Sequence, residues 1–429
     1  MSEVRVLRRE FRVSKQACPK QLGDLRSYVR YETHAARRTE REAPPSATPA
    51  LGLSRGRAGG RCGAAAILGG GMLLSTVLAA LAFSDFHFLA IADWGGLPFW
   101  PWASPGQRKV AEAMGELAAR HESEFVLSLG DHFYFKGVRS ANDARWRRSF
   151  ERVYDHPALA RPGFWKVCAG NHDHDGNVSA QLAYAAKPGS RWSFPGLQHA
   201  WRSTVADEAG TTIDFVLLDT QLLCGQPNGM PLPSMSNNAT LLDAVTEDEE
   251  HQATEAHWAW AEAAIRNSDA DYLVVGGHYP IHSPSGHGPT QCLKARLEPL
   301  LHAVRATLYL SGHDHALFHV GAPSRIQHAV QYHGVGAGLV TSSSKRHACT
   351  IRPARHLRFH ATGESKLANL AQGGFAGVSA SATGMTVSHY DSAGKLLHSH
   401  TAPPRSRSRE SGRAGPSCNS AAGDRQKRT

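Results

Sequence analysis

The sequence predicts an α/β fold in which two mixed β-sheets pack together and helices flank them. Near-continuous apolar runs of 7 to 8 residues recur along the chain, as expected for strands buried on both faces. Segments with helical spacing of apolar residues lie between some of these runs. Three later strand-like runs, at 329–336, 374–381 and 385–391, follow without intervening helices. That clustering favours added sheet over a simple parallel array.

Six apolar runs are the predicted core strands, and two segments between them are predicted helices. The runs are FHFLAIAD (86–93), FVLSLGD (125–131), FWKVCAGN (164–171), TIDFVLLD (212–219), DYLVVGGH (271–278) and ATLYLSGH (306–313). The first helix is predicted at 106–121, where Val110, Met114 and Leu117 repeat at helical spacing. The second is predicted at 254–267, which is rich in good helix formers.

The basic charge of the chain belongs to its two ends. Residues 1–62 carry 14 Lys and Arg against 6 Asp and Glu, and residues 402–429 carry 7 against 2. The two tails together carry a net charge of +13. Because the whole chain has a net charge of +10, the body between the tails carries −3. Both tails lack hydrophobic periodicity, so we expect two basic disordered extensions around a folded domain at 85–401. Because the body is slightly acidic, no nucleic-acid partner is expected.

The segment 63–84 is expected to direct export. Residues 63–83 carry no charge, and Met72 offers an alternative start that would leave a short apolar stretch ending in small residues. A cleaved signal peptide and an uncleaved signal anchor both remain open, as does a buried helix or a misassigned start. Export predicts a secreted or lysosomal protein, with membrane contact only if this segment stays as an anchor.

Five of the six predicted strands end in a small residue followed by side chains that can bind metal. The sequence blocks are IADWGG, LGDHFY, AGNHDH, GGHYP and SGHDH. Each block alone has an ordinary explanation, such as an Asx-turn or a surface histidine. The carboxyl ends of strands in an α/β sheet form one crevice, so the five together predict one site. The side chains they bring to it are those of Asp93, Asp131, Tyr134, Asn171, His172, His278, His313 and His315.

The donor types predict two metal ions and phosphoester hydrolysis. Carboxylate, amide, phenolate and imidazole groups without thiolate suit hard or borderline ions. These donors are too many for one ion, and a pair of ions about 3.5–4 Å apart can clamp the attacking and leaving oxygens of a phosphate ester. Asp131 is the expected bridging carboxylate.

These blocks, in this order, resemble the calcineurin-like metallophosphoesterase superfamily, whose fold is a β-sandwich in α/β/β/α layers. Tyr134, three residues after Asp131, makes the chain similar to the tartrate-resistant (purple) acid phosphatases of animal type. Longer stretches also resemble that family: GNHDHDGNVSAQLAY, HYPIHSPSGHGPTQCL, SSSKRH and LRFH. The similarity runs from about Phe86 to about Ser399.

The resemblance implies a ligand set and a reaction. A ferric ion would be held by Asp93, Asp131, Tyr134 and His315. A second ion, Fe(II), Zn or Mn, would be held by Asp131, Asn171, His278 and His313. His172 and His287 would contact the phosphate and assist the leaving group. The implied activity is an acid phosphatase that hydrolyses small phosphomonoesters or phosphoproteins by attack of a metal-activated hydroxide. A monomer is expected.

The resemblance also implies a Cys224–Cys292 disulfide, a glycan on Asn177, and a protease-sensitive loop at 225–252 whose cleavage raises activity. Three positions depart from the family pattern. His132 replaces an asparagine, Leu339 replaces an amide side chain, and Gly286 replaces a glutamate. Two alternative functions stay open: a metal-dependent phosphodiesterase of the same superfamily, and a catalytically silent binding protein on this fold.

Overall fold

The computed structural model describes residues 85–225, 247–321, 329–361 and 371–405. The predicted N-terminal extension, the predicted export segment and residues 406–429 of the predicted tail lie outside these ranges. So do residues 226–246 of the predicted protease-sensitive loop. Within the part of the chain that is described, no helix combines the length and apolar character needed to cross a bilayer.

Fourteen strands and six α-helices make up the described fold. The strands are β1 (Phe86–Ile91), β2 (Val126–Leu129), β3 (Trp165–Cys168), β4 (Trp192–Ser193), β5 (Gln198–Thr204), β6 (Thr212–Leu218), β7 (Tyr272–Gly277), β8 (Leu308–Ser311), β9 (Leu317–Gly321), β10 (Gln331–Val335), β11 (Leu357–His360), β12 (Gly374–Ala380), β13 (Met385–Asp391) and β14 (Leu396–Ala402). The helices are α1 (Pro105–Arg120), α2 (Asn171–His174), α3 (Val178–Ala185), α4 (Thr220–Cys224), α5 (Glu247–Arg266) and α6 (Gln291–Ala303). A π-helix, Trp146–Glu151, and three 3₁₀ turns at 157–159, 348–350 and 354–356 complete the elements.

The strands form two mixed sheets of seven, which confirms the predicted fold class. One sheet has the order β14-β13-β12-β1-β2-β3-β4, and the other has the order β11-β9-β10-β8-β7-β6-β5. Strands β1 to β4 are parallel in the first sheet, as are β6, β7, β8 and β10 in the second. Antiparallel strands close one edge of the first sheet and both edges of the second. The later strand-like runs therefore extend existing sheets, with β10 joining one and β12 and β13 the other.

Aromatic side chains fill the space between the sheets. Phe88 on β1 packs edge-on against Phe215 on β6, with ring centroids 5.2 Å apart. Behind β1, Trp94 contacts Trp165 and Trp192 at ring distances of 5.9 and 6.1 Å. All five rings are at most 1% exposed. This buried apolar area, which stabilises by about 25 cal/mol per Å², holds the carboxyl ends of β1, β2 and β3 rigidly.

Helix α1 begins and ends where its sequence allows. Ser104 is the N-cap, its side chain accepts a hydrogen bond from the Gln107 backbone N–H at 2.9 Å, and Pro105 occupies the first helical position. The predicted helix at 106–121 is thus confirmed. The second predicted helix, at 254–267, is the C-terminal part of α5, which begins at Glu247 inside the segment predicted as a protease-sensitive loop.

The edges of the sheets were not predicted from sequence. Strands β4, β5, β9, β11 and β14 have no counterpart among the predicted runs. Strands β5 and β14 alternate partly buried and exposed residues, many of them polar, so they lack the continuous apolar signal of a central strand. The folded body also passes the predicted boundary at residue 401. β14 ends at Ala402, and the Arg405 backbone N–H donates to the Asp271 carbonyl at 2.7 Å.

Five imidazoles meet where the edges of the two sheets face each other. We call this group the inter-sheet histidine cluster: His319, His333, His389, His398 and His400. Burial, with repulsion from neighbouring imidazoles, lowers the pKa of His319 to about 2 and that of His389 to about 3. Burial also lowers the pKa of His333 well below its ordinary value. These side chains are therefore neutral in the folded protein at acid pH.

Because of the inter-sheet histidine cluster, we expect the unfolding free energy of the metal-free protein to fall at acid pH. Histidines of the unfolded chain take up protons below about pH 6.5, whereas the buried ones do not. The contribution of the buried histidines to the stability of the fold is therefore complete above that pH and is lost as the pH falls towards their pKa in the folded protein. Each buried imidazole adds about 1.4 kcal/mol per pH unit to the slope of the unfolding free energy against pH. Urea unfolding of chelated protein at pH 7, 6 and 5 should show this loss. His389→Asn should flatten the slope, and an unchanged slope would contradict the prediction.

Candidate metal centre

Strand ends deliver the predicted ligands to one place. Asp93 follows β1, Asp131 follows β2, and Asn171 and His172 follow β3 in the first sheet. His278 follows β7, and His313 and His315 follow β8 in the second sheet. Because these five strands run parallel within each sheet, their carboxyl ends lie at a common edge. The side chains converge there, as the distances below describe.

The backbone turns sharply at four of the predicted ligands. Asp93, Asp131, His313 and His315 have φ values of 57°, 54°, 71° and 44°. Residues other than glycine rarely adopt this left-handed region, and holding one there costs on the order of 1–3 kcal/mol. Such strain concentrates at functional sites, where the surrounding packing enforces it. The conformation turns each side chain away from its strand and into the common edge.

Two glycines let the ligand loops approach each other. A Cβ atom on Gly170 would lie within 3.0 Å of the Asp131 carboxylate, and one on Gly312 would lie within 3.0 Å of the Asp93 carboxylate. The small residue before the metal-capable side chain is therefore a packing requirement. It explains part of the recurring sequence pattern at these strand ends.

The first group of donor atoms comes from Asp93, Tyr134 and His315. The Tyr134 hydroxyl lies 3.0 Å from Asp93 Oδ1 and 2.8 Å from His315 Nε2. The His315 nitrogen lies 3.5 Å from the same carboxylate oxygen. Burial lowers the pKa of His315 to about 3, so its ring is neutral and can offer a lone pair. A phenol, a carboxylate and an imidazole thus meet at one point.

The second group comes from Asp131, Asn171, His278 and His313. His278 Nε2 lies 3.0 Å from the Asn171 side-chain oxygen and 3.3 Å from Asp131 Oδ2. The His313 ring packs edge-on against the His278 ring at 5.1 Å. Carboxylate oxygens of Asp93 and Asp131 and a nitrogen of His278 all lie within 4.8 Å of one another. Asp131 therefore stands between the two groups, as a bridging carboxylate must.

The donors of this second group fit a cation better than an empty site. The His278 Nδ1–H donates to the Leu129 carbonyl at 2.9 Å, which leaves a lone pair on Nε2 facing two oxygen acceptors. Burial alone lowers the pKa of His278, but the negative charge of Asp131 outweighs burial and raises that pKa to about 10. Without a metal the site would bind protons in its place. Oxygen and imidazole donors without thiolate suit the predicted hard or borderline ions.

His172 and His287 lie beside these groups. The His172 backbone N–H donates to Asp131 Oδ1 at 2.9 Å, and its Nδ1 donates to the Phe135 carbonyl at 2.7 Å. Its Nε2, 3.9 Å from Asp131 Oδ2, is left facing the centre. His287 is exposed, its ring centroid lies 4.2 Å from that of His313, and its backbone N–H donates to Asp314.

Asp173 supports the site and was not assigned a role from the sequence. Its carboxylate accepts hydrogen bonds from the His132 backbone at 3.1 Å and from the Gly170 backbone at 2.9 Å. It therefore ties the loop that carries Asp131 to the loop that carries Asn171. The His132 side chain, at the position that departs from the family pattern, pairs with the same carboxylate at 3.2 Å. Asp173 lies within the sequence block AGNHDH, but only the folded structure shows which groups its carboxylate binds.

The other two departures lie at the rim and do not remove a ligand. The Leu339 backbone N–H donates to the Asp93 carbonyl at 2.9 Å, so its main chain still supports the first ligand loop. Gly286 precedes exposed His287 and presents no side chain to the site. Both changes leave the two donor groups intact.

The comparisons with known proteins agree on one family. The calcineurin-like phosphoesterase profile matches residues 81–317. Tartrate-resistant acid phosphatase type 5 of Sus scrofa is 36% identical, over 75% of this chain and 88% of that protein. Its Homo sapiens counterpart is 35% identical, over 78% and 96%. Purple acid phosphatase 4 of Arabidopsis thaliana is 29% identical, over 73% and 82%. A solved structure titled GAP50, the anchor in the inner membrane complex of Plasmodium, shares the fold at a TM-score of 0.59 with 19% identity, over 76% of this chain and 90% of that one.

Proposed function

Because this chain belongs to the calcineurin-like phosphoesterase family and, within it, to the purple acid phosphatases, we propose a division of roles among its residues. The protein is a binuclear-metal acid phosphatase that acts on phosphate esters. The observation that carries the assignment is the position of Asp131 between two groups of donor atoms, 3.3 Å from His278 on one side and within the same cluster as Asp93 on the other.

Asp93, Asp131, Tyr134 and His315 would hold a ferric ion, and Asp131, Asn171, His278 and His313 would hold a divalent one. When bound, such a pair of ions supplies Lewis-acid activation of water and neutralises charge on the phosphate. The phenolate of Tyr134 would favour a trivalent ion, since it is the most basic anionic oxygen donor in its cluster. Iron is the expected metal at that position, and Fe(II), Zn or Mn at the other.

The protein side chains position the substrate and move the proton. His172 presents Nε2 to the centre because its Nδ1 is engaged by Phe135. At acid pH its imidazolium can contact a phosphate oxygen or protonate the leaving oxygen. His287 is held at the rim through its backbone bond to Asp314 and can act on the same oxygens. Substrates are expected to be small phosphomonoesters or phosphoproteins, and the chain is expected to act as a monomer.

Export to an oxidising compartment is part of the proposal. Cys224 and Cys292 form a disulfide in the structure, as the family resemblance implied. Such bonds persist in secreted and luminal proteins. Asn177 is partly exposed at the start of α3, where a glycan could be attached. N-terminal sequencing of the mature protein tests where the export segment is cut.

Tyr134→Phe is expected to remove the purple charge-transfer band of iron-loaded protein. The substitution deletes the only phenol oxygen in the donor group described above and keeps the ring, which packs on His172 at 4.9 Å. Visible absorption of wild type and variant at equal iron content is the measurement. Tyr184→Phe, at a buried tyrosine bonded to Glu151, is the matched control and should keep the band. A band that survives in the Tyr134 variant would exclude the assignment, and a colourless, manganese-dependent wild type would favour a phosphodiesterase.

A further inference from the structure

The inter-sheet histidine cluster is built from two cross-strand pairs. His319 on β9 is directly opposite His333 on β10 in one sheet, and His389 on β13 is directly opposite His398 on β14 in the other. Directly opposed side chains on neighbouring strands lie on the same face with Cβ atoms about 4.5–5.5 Å apart. His400 follows His398 on the same face of β14. Each sheet therefore offers a pair of imidazoles to the other.

The two pairs are in contact across the sandwich. The His333 and His389 ring centroids are 5.2 Å apart, and those of His319 and His398 are also 5.2 Å apart. His319 Nδ1 lies 3.0 Å from His398 Nε2. The His319 and His333 rings stack at 4.2 Å. Four strands from both sheets thus bring one kind of donor together, with no carboxylate or thiolate in the cluster.

Two of these ring nitrogens lack hydrogen-bond partners among the described residues. Both belong to His333, whose side chain is 0% exposed. A buried polar group without a partner is strongly disfavoured, and such groups are rare in native proteins. An imidazole with no partner on either nitrogen, packed against the ring of His389, indicates that the cluster holds something besides protein.

A hydrogen-bond chain fixes which nitrogen of His319 carries the lone pair. The Gln331 side-chain amide donates to the Ala329 carbonyl at 2.8 Å, so its oxygen is the atom that faces His319 Nε2 at 2.9 Å. His319 Nε2 must therefore carry the proton, and Nδ1 presents its lone pair to His398. This arrangement, in which an outer side chain orients an imidazole through its far nitrogen, is typical of metal ligands.

We propose that the inter-sheet histidine cluster is a further metal site, separate from the dinuclear centre, that binds one borderline divalent transition-metal ion such as Zn²⁺ through His319, His333, His389 and His398. An all-imidazole donor set selects Zn, Ni or Cu over harder ions. Among the described residues, only Asp93, Asp131 and His278 have three ligand atoms within 4.8 Å of one another. Metal binding by the inter-sheet histidine cluster therefore requires its rings to rotate. Half-buried His398 and His400 give the ion a route from solvent.

Strand β11 covers one side of the cluster. Phe359 packs on the rings of His389 and His398 and excludes water from that side. A bound ion would join the edges of the two sheets, β9 and β10 to β13 and β14.

Zinc binding by iron-loaded protein tests the site. Wild type at constant iron content should bind one zinc ion per chain, counted by mass spectrometry of the elements and titrated by calorimetry. The double variant His333→Asn/His389→Asn should lose that ion and keep its iron and its activity on an aryl phosphate. His199→Asn, at a buried histidine of β5 outside the cluster, is the matched control and should keep the zinc.

Gln331→Ala provides a second test that leaves all ligands in place. Loss of the outer partner of His319 should weaken zinc binding by about 10–100-fold. Wild type that binds no zinc beyond its dinuclear iron would overturn the proposal, as would zinc binding that survives unchanged in both variants. If zinc binds only by displacing iron, with release of iron into solution, the ion belongs to the dinuclear centre and the proposal fails.

Discussion

Asp131→Asn is expected to lower phosphatase activity by about a thousandfold or more. The substitution keeps the size of the side chain and removes the negative charge that stands between the two donor groups. Asp131 faces His278 at 3.3 Å and accepts the His172 backbone N–H at 2.9 Å. Loss of this charge is expected to remove about 4 kcal/mol of electrostatic stabilisation from the transition state, which corresponds to about three powers of ten in rate.

The measurement is kcat/KM on an aryl phosphate at acid pH, with protein of verified fold. Asp391→Asn makes the same chemical change at the last residue of β13, where the carboxylate accepts the Ala393 and Lys395 backbone N–H groups. It is the matched control and should keep wild-type activity. An Asp131 variant that retains activity within about tenfold of wild type would show that this carboxylate does not bridge.

Removal of the Cys224–Cys292 disulfide is expected to destabilise the fold by about 4 kcal/mol. The bond joins the end of α4 to the first turn of α6 and closes a loop with a sequence separation of 68 residues. Restricting a loop of that length in the unfolded chain stabilises the native state by about 4 kcal/mol in the entropy model. The pair Cys224→Ser/Cys292→Ser should show this loss as a lower midpoint in guanidinium unfolding.

Cys168→Ala is the matched control for the disulfide variant, since Cys168 is a free buried cysteine. It removes a sulfur from the core without opening a loop, and should cost only about 1 kcal/mol. Equal destabilisation by the two variants would mean that packing around the sulfur atoms, and not the covalent link, carries the effect.

The central strands and the side chains at their ends were predictable because both signals are local. Continuous apolar runs mark β1, β2, β3, β6, β7 and β8, and five of these runs are followed directly by the donor residues. The rule that strand ends share one edge then brings distant residues such as Asp93 and His278 together without knowledge of the loops. Family resemblance correctly implied the disulfide, which the spacing of the cysteines alone does not predict.

The edges of the sheets and the supporting contacts were not predictable in this way. Strands β5 and β14 are half-exposed, so their pattern does not differ from that of a polar loop. The role of Asp173 depends on the approach of two loops 41 residues apart. The inter-sheet histidine cluster depends on the register of two non-local strand pairs, because His319 and His398 meet only after both sheets have formed. None of these contacts leaves a local pattern in the sequence.

Metal content after reconstitution with iron tests the central claim most directly. The claim is that side chains from the ends of five strands hold two metal ions around Asp131. Wild type, reconstituted with iron alone and freed of excess, should carry two iron ions per chain, and Asp131→Asn should fail to retain both. Wild type with one iron or none, or an Asp131 variant that still holds two, would contradict the account.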